Sequence, residues 1–399
     1  MGKNNEKPMK KCIYCQKIKA EKEFTLEHVI PKFLGGSYAP DTLKTRDVCG
    51  TCNNNLGLFV DAAFEKEITV YNELKNTANA FFNPEKPTAL PLKSIGIAEL
   101  SPPNINDDEV CEWWLGPLGE QIYWIRPKDD RMYWYTGGNP ITAKKVKTRA
   151  YFMFSERTIE NPLITWTAFK EAFSGRKVKK IMCTKISGAD PTTIGFSEPD
   201  DVDKLRINYF NERCGNSQTI KTKISTKLDY DMRFMAKLAL GLSHVLFGNH
   251  KTKSEYDKEL TKALWFKEGD KPPQIYGSGS LKNAENPFKE LFGVNHGVTI
   301  TILPMPKGVV INLNLNKRMN WLISCSELEV IKSEEIDKLG EGICIILYKE
   351  IEKGLKITLP ELIAHNTKSM IHGELDSIEN IISETITPSP SDDISYAFS

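Results

Sequence analysis

The chain has 399 residues, which predicts two or three domains, and its 53 Lys and Arg against 52 Asp and Glu leave a net charge of +1. No apolar run of about eighteen residues is present, which excludes a membrane-spanning helix. The first residues lack the apolar core of a signal peptide, and five of the nine cysteines are scattered. We therefore expect a cytoplasmic protein with reduced thiols.

Charge is distributed unevenly along the chain. Residues 1–52 carry ten Lys and Arg against six Asp and Glu, whereas the last 26 residues carry six acids and no base. A basic N-terminal part and an acidic tail suit phosphate binding at one end only. A solvated surface gives the same pattern, so charge alone does not decide between the two interpretations.

The first feature in chain order is a pair of Cys-x-x-Cys motifs, Cys12/Cys15 and Cys49/Cys52, with 33 residues between them. Each motif places two thiolates on one side of a tight turn, and two such turns complete a tetrahedral sulfur site for Zn²⁺. Zinc with four sulfur ligands has no open position, so the predicted site is structural. A redox pair or chance cysteines are the alternatives, and two closely placed pairs argue against chance.

Between the cysteine pairs, residues 27–31 read Glu-His-Val-Ile-Pro and predict a short strand that ends at Pro31. On a strand, Glu27 and His28 point to opposite faces, so a distortion or turn is needed for both to reach one site. Asn53 follows the last cysteine of the motifs and begins a helical pattern. Its side chain either caps that helix or is directed at the strand beside it.

These residues together resemble the HNH endonucleases, whose ββα-metal core is a two-stranded ribbon followed by a helix. The resemblance covers residues 10–65 and implies that His28 is the general base and that Glu27 and Asn53 bind one Mg²⁺ or Mn²⁺. The acid is Glu where many members have Asp. The central Asn of the family has no match in the segment 41–43, so a backbone carbonyl is the candidate to orient His28.

The resemblance implies metal-assisted hydrolysis of DNA. His28 takes a proton from water, which attacks phosphorus, and the ion stabilises the charge on the phosphoryl group and the leaving 3′ oxygen. Hard cations prefer the oxygen ligands that Glu27 and Asn53 supply. The candidate phosphate contacts are basic residues in two stretches, namely Lys32, Lys44 and Arg46, then Lys144, Lys145, Lys147 and Arg149. A solvated edge strand explains the second stretch equally well.

The rest of the chain predicts a mixed α+β body. Residues 121–126 and 131–135 flank a Pro-Lys-Asp-Asp turn and predict a β-hairpin, whose tryptophans we expect in the core. Apolar periodicity predicts helices over 163–174, 228–247 and 254–265. Five strands then follow, with a closing helix over 361–372; the predicted strands are 298–303, 309–315, 321–324, 343–348 and 355–359.

The predicted fold class is α+β, with a zinc-stabilised HNH domain followed by a body with antiparallel sheets. Prolines at 84, 87 and 91 place the first boundary near 82–92. The domains are therefore the HNH domain at 1–82, the body at 83–382 with a break near 266–290, and a disordered acidic tail at 383–399.

The leading hypothesis is a gated DNA endonuclease of bacterial antiviral defence. The resemblance implies this setting, because many HNH proteins of such layout act in defence against phage or in mobile elements, and an unrestrained nuclease would attack its own genome. A small signal, a partner protein or homo-oligomerisation acting through the body would supply the gate. The alternative is a zinc-knuckle nucleic-acid-binding protein that has lost catalysis, and the joint presence of Glu27, His28 and Asn53 argues against it.

Overall fold

The computed structural model describes residues 8–81, 91–130, 132–155, 158, 162–184, 190–214, 219–248, 254–280 and 288–385. Packing divides the chain into two compact units, one of residues 1–65 and 227–381 and the other of residues 66–226 and 382–399. The N-terminal segment therefore shares a unit with the C-terminal part of the chain. Residues 82–90 of the predicted boundary and 386–399 of the predicted tail lie outside the described residues, whereas residues 383–385 of that tail end a helix.

The N-terminal segment consists of two small antiparallel hairpins and a helix. The four strands are β1 (Met9–Lys11), β2 (Ile18–Ala20), β3 (Phe24–His28) and β4 (Lys44–Cys49). A helix at Gly50–Leu56 follows β4 and continues through a π-helical turn at Gly57–Asp61 into Ala62–Glu65. This strand–strand–helix order is the ribbon and helix that the resemblance implies.

The strand predicted to end at Pro31 is three residues shorter than expected. β3 ends at His28, and Pro31 instead precedes a short 3-10 turn at Lys32–Leu34. Proline cannot donate a ladder hydrogen bond, and it is well suited to the residue before a helical turn. The chain therefore leaves the ribbon directly after His28.

The second unit is built on a six-stranded sheet. Its strands are β5 (Lys93–Ala98), β6 (Glu109–Leu115), β7 (Gln121–Pro127), β8 (Thr148–Met153), β9 (Val178–Met182) and β10 (Thr222–Lys223). Their order is β10-β5-β6-β7-β8-β9, antiparallel except for the parallel pair β8–β9. The helices described in this unit are Ile68–Ala80, Pro140–Lys145, Pro162–Ala172 and Asp201–Cys214.

The hairpin predicted across residues 121–135 is wrong. β7 pairs with β6 on one side and with β8 on the other, and residues 132–135 form turns. Tyr135 is buried, and the Gly137 N–H nearby donates to the buried Glu112 carboxylate at 3.0 Å. Tertiary contacts thus hold this aromatic stretch as a loop in spite of its strand-like composition.

Trp113, Trp114 and Trp124 pack in the core of this sheet, as expected, whereas Trp134 is half-buried in the loop that follows β7. Trp114 and Trp124 belong to one cluster, and Trp113 packs against a second cluster with Tyr123. Because neighbouring strand residues alternate between the two clusters, the clusters cover opposite faces of the sheet. Packing therefore accounts for these rings without base stacking.

The C-terminal part of the first unit carries the other six-stranded sheet, which is antiparallel throughout in the order β11-β14-β13-β12-β15-β16. Its strands are β11 (Gly277–Ser278), β12 (Val298–Met305), β13 (Gly308–Leu315), β14 (Met319–Ser326), β15 (Ile343–Tyr348) and β16 (Lys353–Thr358). The helices are Leu228–Phe247, Glu255–Leu264, Phe288–Leu291, Ser333–Asp337, Leu359–Asn366 and Gly373–Thr385. The predicted strands and the two predicted helices at 228–265 are confirmed. The helix predicted at 361–372 begins two residues early and ends at Asn366, and residues 367–372 are not helical.

The helix Leu228–Phe247, called the long helix below, packs directly on the N-terminal segment. The rings of Phe234 and Phe64 stack with centroids 4.0 Å apart, and Trp321 of β14 meets Phe64 edge-on at 5.1 Å. At Gly241 an added Cβ would lie 2.7 Å from a Val29 methyl group. None of the described helices is long and apolar enough to cross a membrane.

Candidate active site

The four cysteines of the two motifs come together in space. Cys12 and Cys15 follow β1, Cys49 ends β4, and Cys52 lies in the first turn of the helix Gly50–Leu56. Their sulfur atoms all lie within 4.8 Å of one another, and the Sγ atoms of Cys15 and Cys49 are 4.0 Å apart. Sulfurs about 2.3 Å from a tetrahedral zinc ion are about 3.8 Å apart. The cluster therefore fits one Zn²⁺.

The sulfurs of the cluster compete for protons, so the pKa of Cys12 is lowered while those of Cys15 and Cys52 are raised. A hydrogen bond from the Cys52 thiol is the main cause that lowers the pKa of Cys12 to about 4. The backbone N–H of Cys49 also donates to Cys12 Sγ at 3.4 Å. Zinc binding requires deprotonated thiols, so an ion placed here would replace the proton that the sulfurs share. Four sulfur ligands leave the ion no open position, so its role is structural.

His28 is the last residue of β3 and is half-buried. Partial burial lowers its pKa, the ammonium groups of Lys44 and Lys32 lower it further, and Asp41 opposes them. The imidazole is therefore neutral at neutral pH, which is the state that accepts a proton. Among the described residues we find no hydrogen bond to this ring, and the segment Asp41–Leu43 forms a 3-10 turn. The backbone carbonyl expected to orient His28 stays a prediction.

Glu27 lies on the opposite face of β3 from His28 and is 3% exposed. The strand carries a β-bulge between Thr25 and Glu27, but Glu27 and His28 remain consecutive partners of β4, so their side chains diverge. The Glu27 carboxylate forms an ion pair with Lys237 of the long helix at 2.9 Å, and it accepts a long hydrogen bond from the Tyr14 hydroxyl at 3.5 Å. A buried lysine is thus the cation beside this acid.

Lys237 and Asp61 belong to this site, and sequence reasoning missed both. The ammonium of Lys237 also binds the Asp61 carboxylate at 2.6 Å, where the π-helical turn ends. Burial opposes the charge of Lys237, but Asp61 and Glu27 outweigh it and raise the pKa of Lys237. The one available signal was a lysine at 237 within the apolar run Phe-Met-Ala-Lys-Leu-Ala-Leu of a predicted helix.

Asn53 does not cap its helix. The N-cap residue is Cys49, and the Asn53 amide nitrogen donates instead to the Leu26 carbonyl at 2.9 Å and to Thr25 Oγ1 at 3.0 Å. A carbonyl only accepts, so the nitrogen end of the amide must face Leu26. Asn53 therefore ties the helix to the bulged part of β3, and its amide oxygen is turned away from these two bonds.

Comparison with known families assigns the segment. Residues 12–69 match the model of the HNH endonuclease family. This segment is an HNH domain. The comparisons with curated proteins and with solved structures gave no match. The family match covers the cysteine cluster, β3, β4 and the following helix, so it also covers every residue that the sequence predicts for the catalytic and zinc sites.

The donor set for a catalytic ion fits only in part. Asn53 of the HNH domain can turn its amide oxygen to an ion, but Glu27 in this arrangement already holds the Lys237 ammonium. Among the described residues, the four cysteines are the one group of three or more His, Cys, Asp or Glu gathered closely enough for a metal. A divalent ion at Glu27 therefore requires that the contact with Lys237 be given up.

Two of the candidate phosphate contacts of the HNH domain, Lys32 and Lys44, lie close to His28, and Arg46 is two residues from Lys44 on β4. Lys32 and Arg46 are exposed, and the half-buried Lys44 is the cross-strand partner of His28. The Lys44 ammonium binds Asp41 at 2.6 Å. Lys32 and Arg46 are thus the two basic side chains here most available to a phosphate backbone.

The second basic stretch lies in the other unit and is not a strand throughout. Lys144 and Lys145 end the helix Pro140–Lys145, and Lys147 is exposed in the connection to β8. Arg149 is in β8 and forms ion pairs with Asp200 at 2.8 Å and with Asp203 at 2.6 Å. The three lysines remain candidates for phosphate contact, whereas Arg149 already has two anionic partners.

Proposed function

We propose that the protein is an endonuclease that hydrolyses DNA phosphodiester bonds, with His28 as the general base. The observation that carries the proposal is a half-buried His28 with a lowered pKa at the end of the ribbon of an HNH domain. A general base needs to be unprotonated at the working pH and open to water, and His28 meets both needs.

In the proposed reaction, a nitrogen of the neutral His28 imidazole takes a proton from a water molecule. The water oxygen attacks phosphorus in line with the leaving 3′ oxygen, the P–O3′ bond breaks, and the released 3′ oxygen takes a proton from solvent. The resulting imidazolium, beside Lys44 and Lys32, returns its proton readily to solvent because the same charges lower its pKa. Lys32 and Arg46 are the residues proposed to hold the DNA backbone near His28.

A divalent ion belongs to this proposal as a requirement of the family. Glu27 and Asn53 are the residues proposed to hold Mg²⁺ or Mn²⁺, which when bound supplies positive charge to the phosphoryl group. Glu27 can do so only after it is released from Lys237. The zinc ion of the four cysteines has a different task, which is to hold β1, β4 and the first helical turn together.

We also propose that the nuclease is gated and serves in defence against phage. An ungated nuclease would degrade the DNA of its own cell, and most of the chain lies outside the HNH domain. The part most suited to transmit a signal is the C-terminal part of the first unit, because the long helix contacts the HNH domain at Glu27 and Phe64. A small molecule, a partner protein or a second copy of the chain would act through it.

One observation favours a second candidate function, which is a zinc-knuckle DNA-binding protein without catalysis. The acid that an active site needs is neutralised by Lys237 in a buried ion pair. If that pair is permanent, the HNH domain retains its zinc cluster and basic surface but not its catalytic ion. DNA binding without cleavage is then the expected behaviour.

The test is cleavage of supercoiled plasmid by zinc-loaded protein with Mg²⁺ or Mn²⁺. We expect His28→Ala to lose about 10²–10⁴-fold in rate, with zinc content and melting temperature near wild type. His244→Ala is the matched control, because His244 lies on the long helix and bonds Asp47 rather than the site. Activity of His28→Ala above about a tenth of wild type would point to another base. DNA binding without cleavage in every protein would favour the second candidate.

The same assay tests the gate. If wild-type protein cleaves plasmid rapidly with no added signal or partner, the gate is absent, although the nuclease assignment stands. The gate is supported if wild type cleaves slowly or not at all while Lys237→Met, which frees Glu27, cleaves rapidly.

A further inference from the structure

The buried cation beside Glu27 comes from outside the HNH domain. Lys237 is 3% exposed, and its ammonium bridges Glu27 at 2.9 Å and Asp61 at 2.6 Å. The two carboxylates carry two negative charges against one positive charge. The remaining Asp61 oxygen, Oδ1, is buried and has no hydrogen-bond partner in the described part of the chain. The group is therefore a carboxylate pair that is short of positive charge.

The position of the ammonium is fixed by close packing of the long helix. One helical turn after Lys237, Gly241 approaches Val29 and the Tyr14 hydroxyl so closely that an added Cβ would lie 2.7 and 3.0 Å from them. Residues four apart share one helix face. Gly241 thus lets the helix approach until the Lys237 ammonium reaches Glu27. A shift or rotation of this helix would withdraw the ammonium and leave both carboxylates without their cation.

We propose that Lys237 is an internal competitor of the catalytic ion, which holds Glu27 until the long helix moves. The ammonium and a divalent cation seek the same carboxylate oxygens, and Coulomb repulsion between them in a buried site opposes joint occupancy. Asp61 is the second carboxylate that an incoming ion would meet. The role of Lys237 as a gate rests on the proposed nuclease function. The competition between the ammonium and a divalent ion for Glu27 does not depend on that function, because it concerns only cation binding.

The experiment measures Mn²⁺ affinity rather than cleavage. Zinc-loaded full-length protein is titrated with Mn²⁺, and free Mn²⁺ is read by electron paramagnetic resonance. Wild type is compared with Lys237→Met and with Lys237→Met/Asp61→Asn, which removes one charge of each sign and so preserves the net charge of the group. Lys10→Met is the matched control, because the Lys10 ammonium pairs with Asp47 at a partly exposed position.

We expect Lys237→Met to bind one Mn²⁺ about tenfold or more tightly than wild type, since a buried like charge is removed from the ion. The double variant, which also lacks the Asp61 carboxylate, should show a smaller gain. The Lys10→Met control should stay within about twofold of wild type. Adding Glu27→Gln to the double variant should abolish the gain. A folded Lys237→Met protein that binds Mn²⁺ no more tightly than wild type, or a gain that survives Glu27→Gln, overturns the proposal.

Folding defects do not obscure the outcome. If the Lys237 variants are unfolded alone but fold when Mn²⁺ is added, the ion has replaced the ammonium and the proposal is supported. If they remain unfolded with Mn²⁺, Lys237 is a structural cation and the proposal fails. A rise in Mn²⁺ affinity without DNA cleavage in any protein would leave the competition standing and remove the nuclease function instead.

Discussion

Replacement of Lys237 by Met should destabilise the first unit strongly in the absence of a divalent ion. The substitution keeps the apolar stem of the side chain but leaves Glu27 and Asp61 buried without their cation. Removing one partner of a buried ion pair costs about 3–5 kcal/mol. Lys10→Met breaks the ion pair between Lys10 and Asp47. The two side chains are 35% and 27% exposed, so the loss should cost only about 0–1 kcal/mol.

These energies translate into melting temperatures. For a unit of about 220 residues, each kcal/mol lowers the melting temperature by about 2–4 °C, so Lys237→Met should melt about 6–20 °C below wild type. Lys10→Met should melt within a few degrees of it. Differential scanning calorimetry on zinc-loaded protein is the suitable assay, because the transitions of the two units can be compared within one scan.

The dependence on pH gives an independent check. Burial raises the pKa of Glu27 and of Asp61, and Lys237 offsets part of this rise in each. Without the lysine, each carboxyl group has a higher pKa in the folded protein than in the unfolded chain. Such a group favours the folded state at low pH, and this contribution is lost as the pH rises above the pKa of the unfolded chain. The difference in melting temperature between Lys237→Met and wild type should therefore become smaller as the pH is lowered from about 8 to about 5. If Lys237→Met lowers the melting temperature no more than Lys10→Met does at every pH, Lys237 is not a buried cation that stabilises the unit.

Three further substitutions test the HNH domain. Cys49→Ser should abolish zinc binding and unfold the segment, because structural zinc contributes about 10 kcal/mol or more in small zinc modules. Metal analysis measures the zinc content, and circular dichroism measures the folding. A folded Cys49→Ser protein without zinc would contradict the zinc cluster. Asn53→Ala should lose most cleavage activity with partial rescue at high Mn²⁺ if Asn53 is a ligand, whereas full activity would leave it only its bonds to Leu26 and Thr25. Asn53→Asp keeps an oxygen but loses both of those donated bonds, so its melting temperature should fall.

The HNH domain was predictable because its signals are local. The Cys-x-x-Cys spacing predicts the cluster around Cys12 and Cys49, and the order of strand, strand and helix follows from the family resemblance. The long helix was equally clear, since Met235, Leu238 and Leu242 repeat at helical spacing and all are buried. What these signals share is that neighbouring residues determine them.

Two of the failures depend on contacts between distant residues. Residues 131–135 have strand composition, but the sheet position beside β7 is taken by β8, and the loop is held by bonds such as that from Gly137 to Glu112. In the same way, apolar periodicity marks the buried face of the long helix but does not say which residue Lys237 meets. Its partners Glu27 and Asp61 lie far away in the sequence.

In the proposed gate, the alternation of side chains along β3 concentrates control of the site at Glu27. His28 turns to the side of Lys32 and Lys44, where water and DNA can approach, while Glu27 turns inward to the long helix. A change in the helix can therefore act on the ion through Glu27 without touching the base. Whether the protein is a gated nuclease or a DNA-binding protein without catalysis then depends on whether the Lys237–Glu27 pair opens, which the Mn²⁺ titration measures directly.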